Sequence, residues 1–192
     1  MIGDQGLGIG DREGRSRSQV PSPRSLIPNP PSMTIKIIAT GGTIDKIYFD
    51  AKSAFQVGDP TAPLVLEEAN ITVEYEVQSL LRKDSLEMNE EDRALIRHAV
   101  EASAQAQIVI THGTDTMLAT ARALGDIPGK TIVLTGSMQP ARLRLTDAIF
   151  NIGFALAAVQ ILPPGVYIGM NGRVFDPWRS KKNVALNRFE DE

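Results

Sequence analysis

The sequence contains no cysteine and only two histidines among its 192 residues. Without cysteine the chain has no disulfide, no thiolate nucleophile and no cysteine-ligated zinc. Its two histidines, His98 and His112, are too few for a histidine-rich metal site. Thiolate catalysis, cysteine–zinc sites and histidine-rich metal sites are therefore excluded.

Long apolar runs and an excess of positive charge are also missing. The longest apolar stretch, residues 148–162, contains Asn151 and Gln160 and is shorter than the roughly 20 residues that a membrane-spanning helix needs. The formal net charge is −3, which offers no attraction to nucleic acid. The amino-terminal end lacks the apolar segment of a secretory signal. We therefore expect a cytoplasmic enzyme that binds neither membranes nor nucleic acid.

Residues 1–32 differ in composition from the rest of the chain. Gly, Ser, Pro and Arg dominate there, and apolar residues follow no period. Such a segment buries too little apolar surface to offset its ordering entropy, so we expect disorder. Met33 lies two residues before the first predicted strand, and we hypothesise that it is the true start. Residues 33–192 then form one domain.

From Met33 onward, predicted strands and helices alternate. Apolar runs rich in β-branched residues predict buried strands at 35–39, 71–77, 107–111, 131–135 and 166–170. Helical patterns predict helices at 90–106, 116–124 and 147–160, with a short helix near 64–69. Alternation of this kind predicts an α/β fold with a three-layer open parallel sheet and helices on both faces.

Two of the predicted strands end in glycine and hydroxyl residues. The first ending is Ala39-Thr40-Gly41-Gly42-Thr43-Ile44, and the second is Thr111-His112-Gly113-Thr114-Asp115-Thr116. Ligands bind at the carboxyl ends of strands in open α/β sheets. Glycines there allow positive φ and leave backbone amides free to face an anion or an oxyanion. A lone Gly-Gly is more often a tight turn, but two such turns on one edge favour a binding site.

Threonine hydroxyls are poor nucleophiles without a base. Thr114 adjoins Asp115, and Lys130 precedes the neighbouring predicted strand, from which a desolvated lysine could accept a proton. An ordinary Asp115–Lys130 ion pair explains the same residues equally well. For His112, a buried imidazole that fixes the turn through a backbone hydrogen bond is favoured over a general base.

At these residues the chain resembles the bacterial asparaginase/glutaminase family, which comprises amidohydrolases that act through threonine. The two glycine–threonine turns are similar to the two signatures of that family. Residues 84–89 resemble its substrate-binding serine turn, and residues 130–140 resemble the strand that carries its catalytic lysine. The resemblance covers about residues 34–185 and implies a fold like the family's amino-terminal domain.

This resemblance implies roles for individual residues. Thr43 is the implied nucleophile on the side-chain amide carbon, and Thr114, Asp115 and Lys130 form the implied second triad. Ser85 and backbone near Thr114 are expected to hold the substrate carboxylate, and Asp115 its ammonium group. The full set of expected substrate-binding residues is Gly42, Ser85, Leu86, Gly113, Ser137 and Met138. The implied substrate is a small amino-acid amide, hydrolysed to acid and ammonia without a metal or an organic cofactor.

The chain departs from the family pattern in three places. Phe55 stands where the family has a lid tyrosine that activates the first threonine, and Tyr48 is the candidate replacement. Leu86 stands where many relatives have a polar residue that binds the substrate amine. The sequence stops near residue 192, before the family's carboxy-terminal domain, so we expect a short single-domain relative. Apolar surface left uncovered by that domain would favour a homo-oligomer.

Three functions remain open at this point. The leading one is hydrolysis of the side-chain amide of L-asparagine or a related small amide. The others are a non-catalytic amino-acid-binding or regulatory module, which Phe55 favours, and the amidase component of an amidotransferase assembly. Retention of Thr43, Thr114, Asp115 and Lys130 argues against a decayed site.

Overall fold

The computed structural model of the chain describes residues 34–49 and 54–192. The predictions of disorder over residues 1–32 and of a start at Met33 lie outside the described residues.

A six-stranded sheet forms the centre of this part of the chain. Its strands, in chain order, are β1 Ile35–Gly41, β4 Tyr75–Lys83, β5 Gln107–Thr111, β6 Thr131–Thr135, β7 Gly165–Met170 and β8 Arg173–Phe175. In space their order is β4-β1-β5-β6-β7-β8. The first five strands of that order are parallel to their neighbours, and only β8 runs antiparallel, beside β7.

Four helices cover the two faces of the sheet. They are α1 Ala62–Glu68, α2 Glu90–Ala102, α3 Met117–Leu124 and α4 Ala148–Ile161. Apolar side chains of α2 and α3 pack on one face, and those of α1 and α4 pack on the other. Every residue of β1, β5 and β6 is buried as a result. The predicted three-layer α/β fold is confirmed.

The second strand differs from its prediction. It spans Tyr75–Lys83 rather than residues 71–77. This strand lies at the edge of the sheet and is only half-buried. Polar residues are tolerated on such a strand, so the apolar pattern does not mark where it ends. Its carboxyl end lies at Lys83, which places Ser85 immediately beyond the edge of the sheet.

Helix α2 begins as its sequence predicts and ends earlier. Asn89 accepts from the Asp92 backbone amide, and the Asp92 carboxylate accepts from the Asn89 amide, so the two residues form a capping box. The helix ends at Ala102 rather than at residue 106, because Ser103 is extended. Its carboxyl end faces the amino end of β6, where Lys130 donates to backbone oxygens.

Two short hairpins lie outside the central sheet. One pairs β2 Lys46–Phe49 with β3 Ala54–Val57, and the other pairs β9 Ser180–Asn183 with β10 Arg188–Asp191. Neither was predicted, because strands of four partly polar residues have no clear hydrophobic alternation. Both hairpins reach the carboxyl edge of the sheet, as the site geometry below shows.

Helix α4 is apolar nearly all round. It contains no charged residue, and Ile149 and Phe150 are exposed on its outer face. Across residues 34–49 and 54–192, no helix has the length and hydropathy that crossing a membrane requires.

Candidate active site

The two glycine–threonine turns touch through their backbones. A Cβ added to Gly42, whose φ is 85°, would lie 2.3 Å from the backbone nitrogen of Gly113. A Cβ added to Gly113 would lie 2.5 Å from the Ser85 Oγ atom. Only glycine fits at either position. The ends of β1, β4 and β5 are thereby packed together, and Thr43 and Thr114 each follow one of these glycines.

Hydrogen bonds fix the same three chain segments. The Gly42 amide donates to the Lys83 carbonyl at 2.9 Å. The Thr40 hydroxyl donates to the Thr111 carbonyl at 2.8 Å, in a buried position. The Thr116 hydroxyl donates to the Ser85 carbonyl at 2.7 Å. The site is therefore held rigidly by the sheet before any ligand binds.

Thr43 opens a single turn of 3₁₀ helix, Thr43–Asp45. Ile44 is fully buried in the core below this turn, and its carbonyl accepts from the Ala141 amide at 3.1 Å. The backbone of Thr43 is thus anchored on both sides. Its side chain is half-buried, and its hydroxyl makes no hydrogen bond with any described residue. That hydroxyl is free to approach a ligand.

Thr114 lies at the centre of a second group of side chains. Lys182 donates from Nζ to the Thr114 Oγ1 atom at 2.8 Å and to the Asp115 Oδ1 atom at 2.6 Å. The Thr114 hydroxyl donates in turn to the Met138 Sδ atom at 3.6 Å. Thr114 is 5% exposed and the Lys182 side chain 11%. A hydroxyl beside a mostly buried amine and a carboxylate is the arrangement that activates a threonine.

Lys130 does not take part in this group, and its predicted role is wrong. It precedes the amino end of β6, whereas Thr114 follows the carboxyl end of the parallel strand β5. Five residues of strand span about 16 Å, which no lysine side chain crosses. The Lys130 ammonium instead donates to the Ser103 carbonyl and, at 2.8 Å, to the Gln105 carbonyl. It therefore caps the carboxyl end of α2.

Lys182 supplies the amine that sequence reasoning assigned to Lys130. It lies on β9, a short polar strand with no pattern that marks it. The adjacent pair Lys181-Lys182 is one weak sequence signal for a buried lysine. Successive side chains of a strand point to opposite faces, and Lys181 is the exposed member of the pair.

His112 is fully buried beside the site. Its Nδ1 atom lies 2.7 Å from the Gly113 carbonyl, and its Nε2 atom lies 2.8 Å from the Thr120 hydroxyl. A carbonyl only accepts, so Nδ1 carries the proton and Nε2 accepts from Thr120. Burial lowers the pKa of His112 to about 4. The prediction of a neutral histidine that fixes the turn is confirmed.

The other expected substrate-binding residues lie around the same edge. Ser85 is buried, and its Oγ atom has no hydrogen-bond partner among the residues that the structure describes. Leu86, beside it, is 72% exposed. Ser137 is buried and donates to the Gln139 carbonyl. The Met138 amide donates to both carboxylate oxygens of Asp147 at 3.0 Å, which fixes the loop that presents Met138 to Thr114.

The expected lid residues lie on the β2–β3 hairpin, which begins directly after the Thr43 turn. Tyr48 pairs with Phe55 across the hairpin, and their rings meet edge to face with centroids 5.6 Å apart. Both side chains are about half exposed. The aromatic pair is therefore placed on a segment continuous with Thr43, as a lid would be.

Asp45 closes the base of this hairpin. Its carbonyl accepts from the Gly58 amide at 2.8 Å, and its carboxylate accepts from the Thr61 amide at 2.8 Å. The side chain is buried. Burial raises the pKa of Asp45 from 3.8 to about 6, although the Thr61 hydrogen bonds and the charge of Arg142 oppose the change.

Metal ligands are not grouped anywhere in the part of the chain that the structure describes. Residues 34–49 and 54–192 contain no cluster of three or more histidine, aspartate or glutamate side chains suited to holding an ion.

Comparison with known proteins identifies the family. The family model described as "Asparaginase, N-terminal" matches residues 34–189. The chain belongs to the asparaginase family. An L-asparaginase of Thermococcus kodakarensis is 34% identical over 171 residues, which cover 82% of this chain and 51% of that protein.

Two further matches agree with this assignment. The solved structure of the thermostable L-asparaginase from Thermococcus kodakarensis superposes with a TM-score of 0.71 at 31% identity, covering 83% of this chain and 51% of the other. A glutamyl-tRNA(Gln) amidotransferase component from Methanococcus vannielii is 32% identical over 169 residues, or 80% of this chain and 38% of that protein. The chain thus spans about half the length, or less, of these relatives.

The pKa of Asp45 predicts how stability depends on pH. A carboxyl whose folded pKa is raised destabilises the folded state as the pH rises from about 4 to 6, because the unfolded chain then ionises more readily. Asp45→Asn keeps an acceptor for the Thr61 amide and cannot ionise. The quantity to compare is the free energy of unfolding of Asp45→Asn minus that of the parent, both measured with urea. This difference should be about 1–3 kcal/mol larger at pH 8 than at pH 4.

The exposed carboxylate of Asp126, which forms no ion pair or hydrogen bond with any described residue, provides the control for this measurement. Asp126→Asn should change stability equally at the two pH values, because no burial or partner distinguishes its folded environment from water. A gain for Asp45→Asn that is the same at pH 4 and pH 8 would contradict the assigned burial effect.

Proposed function

We propose that this domain hydrolyses the side-chain amide of L-asparagine, or of a related small amide, through a threonine nucleophile. The observation that carries the proposal is the contact of Lys182 with Thr114 and Asp115. A second threonine hydroxyl, that of Thr43, lies at the same edge and makes no hydrogen bond within residues 34–49 and 54–192. Two hydroxyls, one amine and one carboxylate at one sheet edge are the groups that acyl transfer requires.

In the proposed reaction the Thr43 oxygen forms a bond to the amide carbon. Collapse of the tetrahedral adduct breaks the C–N bond, and the nitrogen leaves as ammonia with the proton that Thr43 gave up. Water then attacks the resulting ester, which releases the carboxylic acid and restores the Thr43 hydroxyl. Thr114, Lys182 and Asp115 are proposed to relay protons in both steps.

Proton removal from Thr43 needs a group that reaches it. Tyr48 and Phe55 form the aromatic pair of the adjoining hairpin, and only Tyr48 carries an exchangeable proton. We propose that Tyr48 serves Thr43 when the hairpin closes. Its side chain is exposed on the hairpin that directly follows the Thr43 turn, as this role requires.

Substrate binding is proposed for Ser85 and Asp115. The buried Ser85 hydroxyl lacks a partner, and such a group is costly unless a ligand satisfies it. Asp115 gives one carboxylate oxygen to Lys182, and its side chain is 43% exposed. Its second oxygen is therefore available to an ammonium group. Leu86 adds an apolar neighbour.

The amidase component of an amidotransferase assembly is the second candidate. The similarity to a component of a glutamyl-tRNA(Gln) amidotransferase supports it. The chemistry at the threonines is the same, and the candidates differ in whether ammonia goes to water or to a partner enzyme. A binding module without catalysis is favoured only by Phe55 at the lid position. A cytoplasmic location stays a prediction.

Ammonia release tests the roles proposed for Thr43 and Lys182. Thr43→Ala and Lys182→Met should each lower the turnover of L-asparagine and L-glutamine at least about 100-fold, because each removes a nucleophile or an acid–base group. Coupled ammonia detection and circular dichroism, used together, separate lost chemistry from lost folding.

Lys130→Met is the matched control for Lys182→Met. It should lower the melting temperature, because the Ser103 and Gln105 carbonyls lose their donor, and should leave turnover of the folded protein within about twofold. Equal loss of turnover in the two lysine variants would contradict the assignment of Lys182.

We further propose that the outer face of α4 is buried between copies of this chain. Phe150 is 60% exposed there and stacks on Phe154, and no charge opposes the approach of a second helix. Exposed apolar surface of this kind favours association.

Light scattering tests this interface. Phe150→Glu should reduce the molar mass to that of a monomer, whereas Val184→Glu, at another exposed apolar position, should not. A dimer with a Kd of about 1 μM would be mostly associated at about 50 μM. A parent protein that is monomeric at that concentration would contradict the proposal.

A further inference from the structure

We propose that Arg122 is the positioning residue that sets the Lys182 ammonium against Thr114. The inference rests on the proposed function, in which Lys182 relays protons. It concerns how the chain keeps a lysine from a separate hairpin in register with residues of the central sheet.

Arg122 binds the backbone of the segment that precedes Lys182. Its Nε atom donates to the Pro177 carbonyl at 2.8 Å, and its Nη2 atom donates to the Ser180 carbonyl at 3.2 Å. Ser180 lies two residues before Lys182 on β9 and is fully buried. The guanidinium therefore fixes the chain within about 7 Å of the lysine, since each strand residue spans about 3.3 Å.

The other members of the group directly precede the helix that carries Arg122. Thr114 and Asp115 lie just before the first residue of α3, and Arg122 lies in its last turn. β9 is therefore bonded at both ends of α3. The Ser180 carbonyl accepts from Arg122 in the last turn of the helix, and Lys182 donates to Thr114, just before its first turn. Rotation or sliding of β9 would break both sets of bonds.

Other contacts of the hairpin act on its second strand. Phe189 of β10 is buried against Phe175, and its amide donates to the Asn171 side chain at 3.1 Å. These contacts attach β10 to β8 and to the β7–β8 turn, and the hairpin ladder ties β9 to β10. Arg122 provides the direct link between α3 and the chain that enters β9. The β9–β10 pair shares no ladder with the central sheet, so side-chain bonds decide where Lys182 lies.

The geometry favours arginine over lysine. Two nitrogens of one planar guanidinium, in a fixed fork, reach the two carbonyls. Lysine has a single donor nitrogen on a flexible stem, so it would hold the same two carbonyls less firmly. Both acceptors are backbone oxygens, so the effect of a substitution reports position and not the loss of an ion pair.

Steady-state kinetics give the first arm of the test. Arg122→Ala should lower kcat about 10-fold with KM changed less than about twofold, because a misplaced proton relay affects the reaction more than binding. Arg122→Lys should recover part of the loss. Arg188→Ala, which removes an exposed ion pair of the same hairpin, should leave kcat unchanged.

A double variant separates positioning from general stability. In the Lys182→Met background, Arg122→Ala should cause no further loss of kcat, because the two changes act on one group. An added 10-fold loss in that background, or an unchanged kcat in Arg122→Ala alone, would overturn the inference.

Lysine acetylation gives a readout that needs no enzymatic activity. Lys182 is largely buried and Lys181 is exposed. The acetylation rate of Lys182 divided by that of Lys181, followed by mass spectrometry, therefore reports how firmly Lys182 is held. Arg122→Ala should raise that ratio several-fold, and Arg188→Ala should not. An unchanged ratio would overturn the inference. If the parent protein releases no ammonia and Arg122→Ala still raises the ratio, the proposed function is refuted and the positioning role of Arg122 is supported.

Discussion

The backbone contact between Gly42 and Gly113 is the constraint on which the site depends. No side chain fits between them, because an added Cβ would lie 2.3 Å from the Gly113 nitrogen. This contact brings the end of β1 against the end of β5, and Gly113 in turn contacts Ser85 at the end of β4. Both threonines and the serine therefore lie at one edge because three parallel strands end together.

The charges of the site come from few groups. His112 stays neutral because burial lowers its pKa to about 4. The Lys182–Asp115 pair supplies charge beside Thr114, and the Lys46–Asp84 pair, 2.6 Å between nitrogen and oxygen, supplies it beside Ser85. The Lys182 ammonium is mostly buried and lies in contact with the Thr114 hydroxyl. The sheet supplies the hydroxyls, and a separate hairpin supplies the amine, so the site is complete only when that hairpin is held in place.

Sequence patterns predicted the parts of the fold that are buried on both faces. Strands β1, β5 and β6 and the helices on either side follow their predictions closely, because full burial imposes a continuous apolar run. The strand β4 was misplaced by several residues, since an edge strand tolerates polar residues. The two small hairpins lack a hydrophobic pattern and were not predicted.

The same reasoning explains which candidate residues could be placed from the sequence. Thr43, Thr114, Asp115 and Ser85 were expected at strand ends, and the structure places them there. Lys130 was chosen because it adjoins a strand of the same sheet, but an amino end and a carboxyl end lie on opposite edges. Lys182 comes from β9, and no local pattern links a residue there to Thr114, so only the three-dimensional contact identifies it.

The central claim is that the Thr43 oxygen forms the covalent bond to the substrate, while Thr114, Lys182 and Asp115 relay protons. Acid quenching during turnover of L-asparagine, followed by tryptic mass mapping, tests it directly. Cleavage after Lys36 and Lys46 isolates Thr43, and cleavage after Arg97 and Arg122 isolates Thr114. The account predicts an added acyl mass on the peptide 37–46. An acyl mass on the peptide 98–122, or turnover without any acylated peptide, would contradict it.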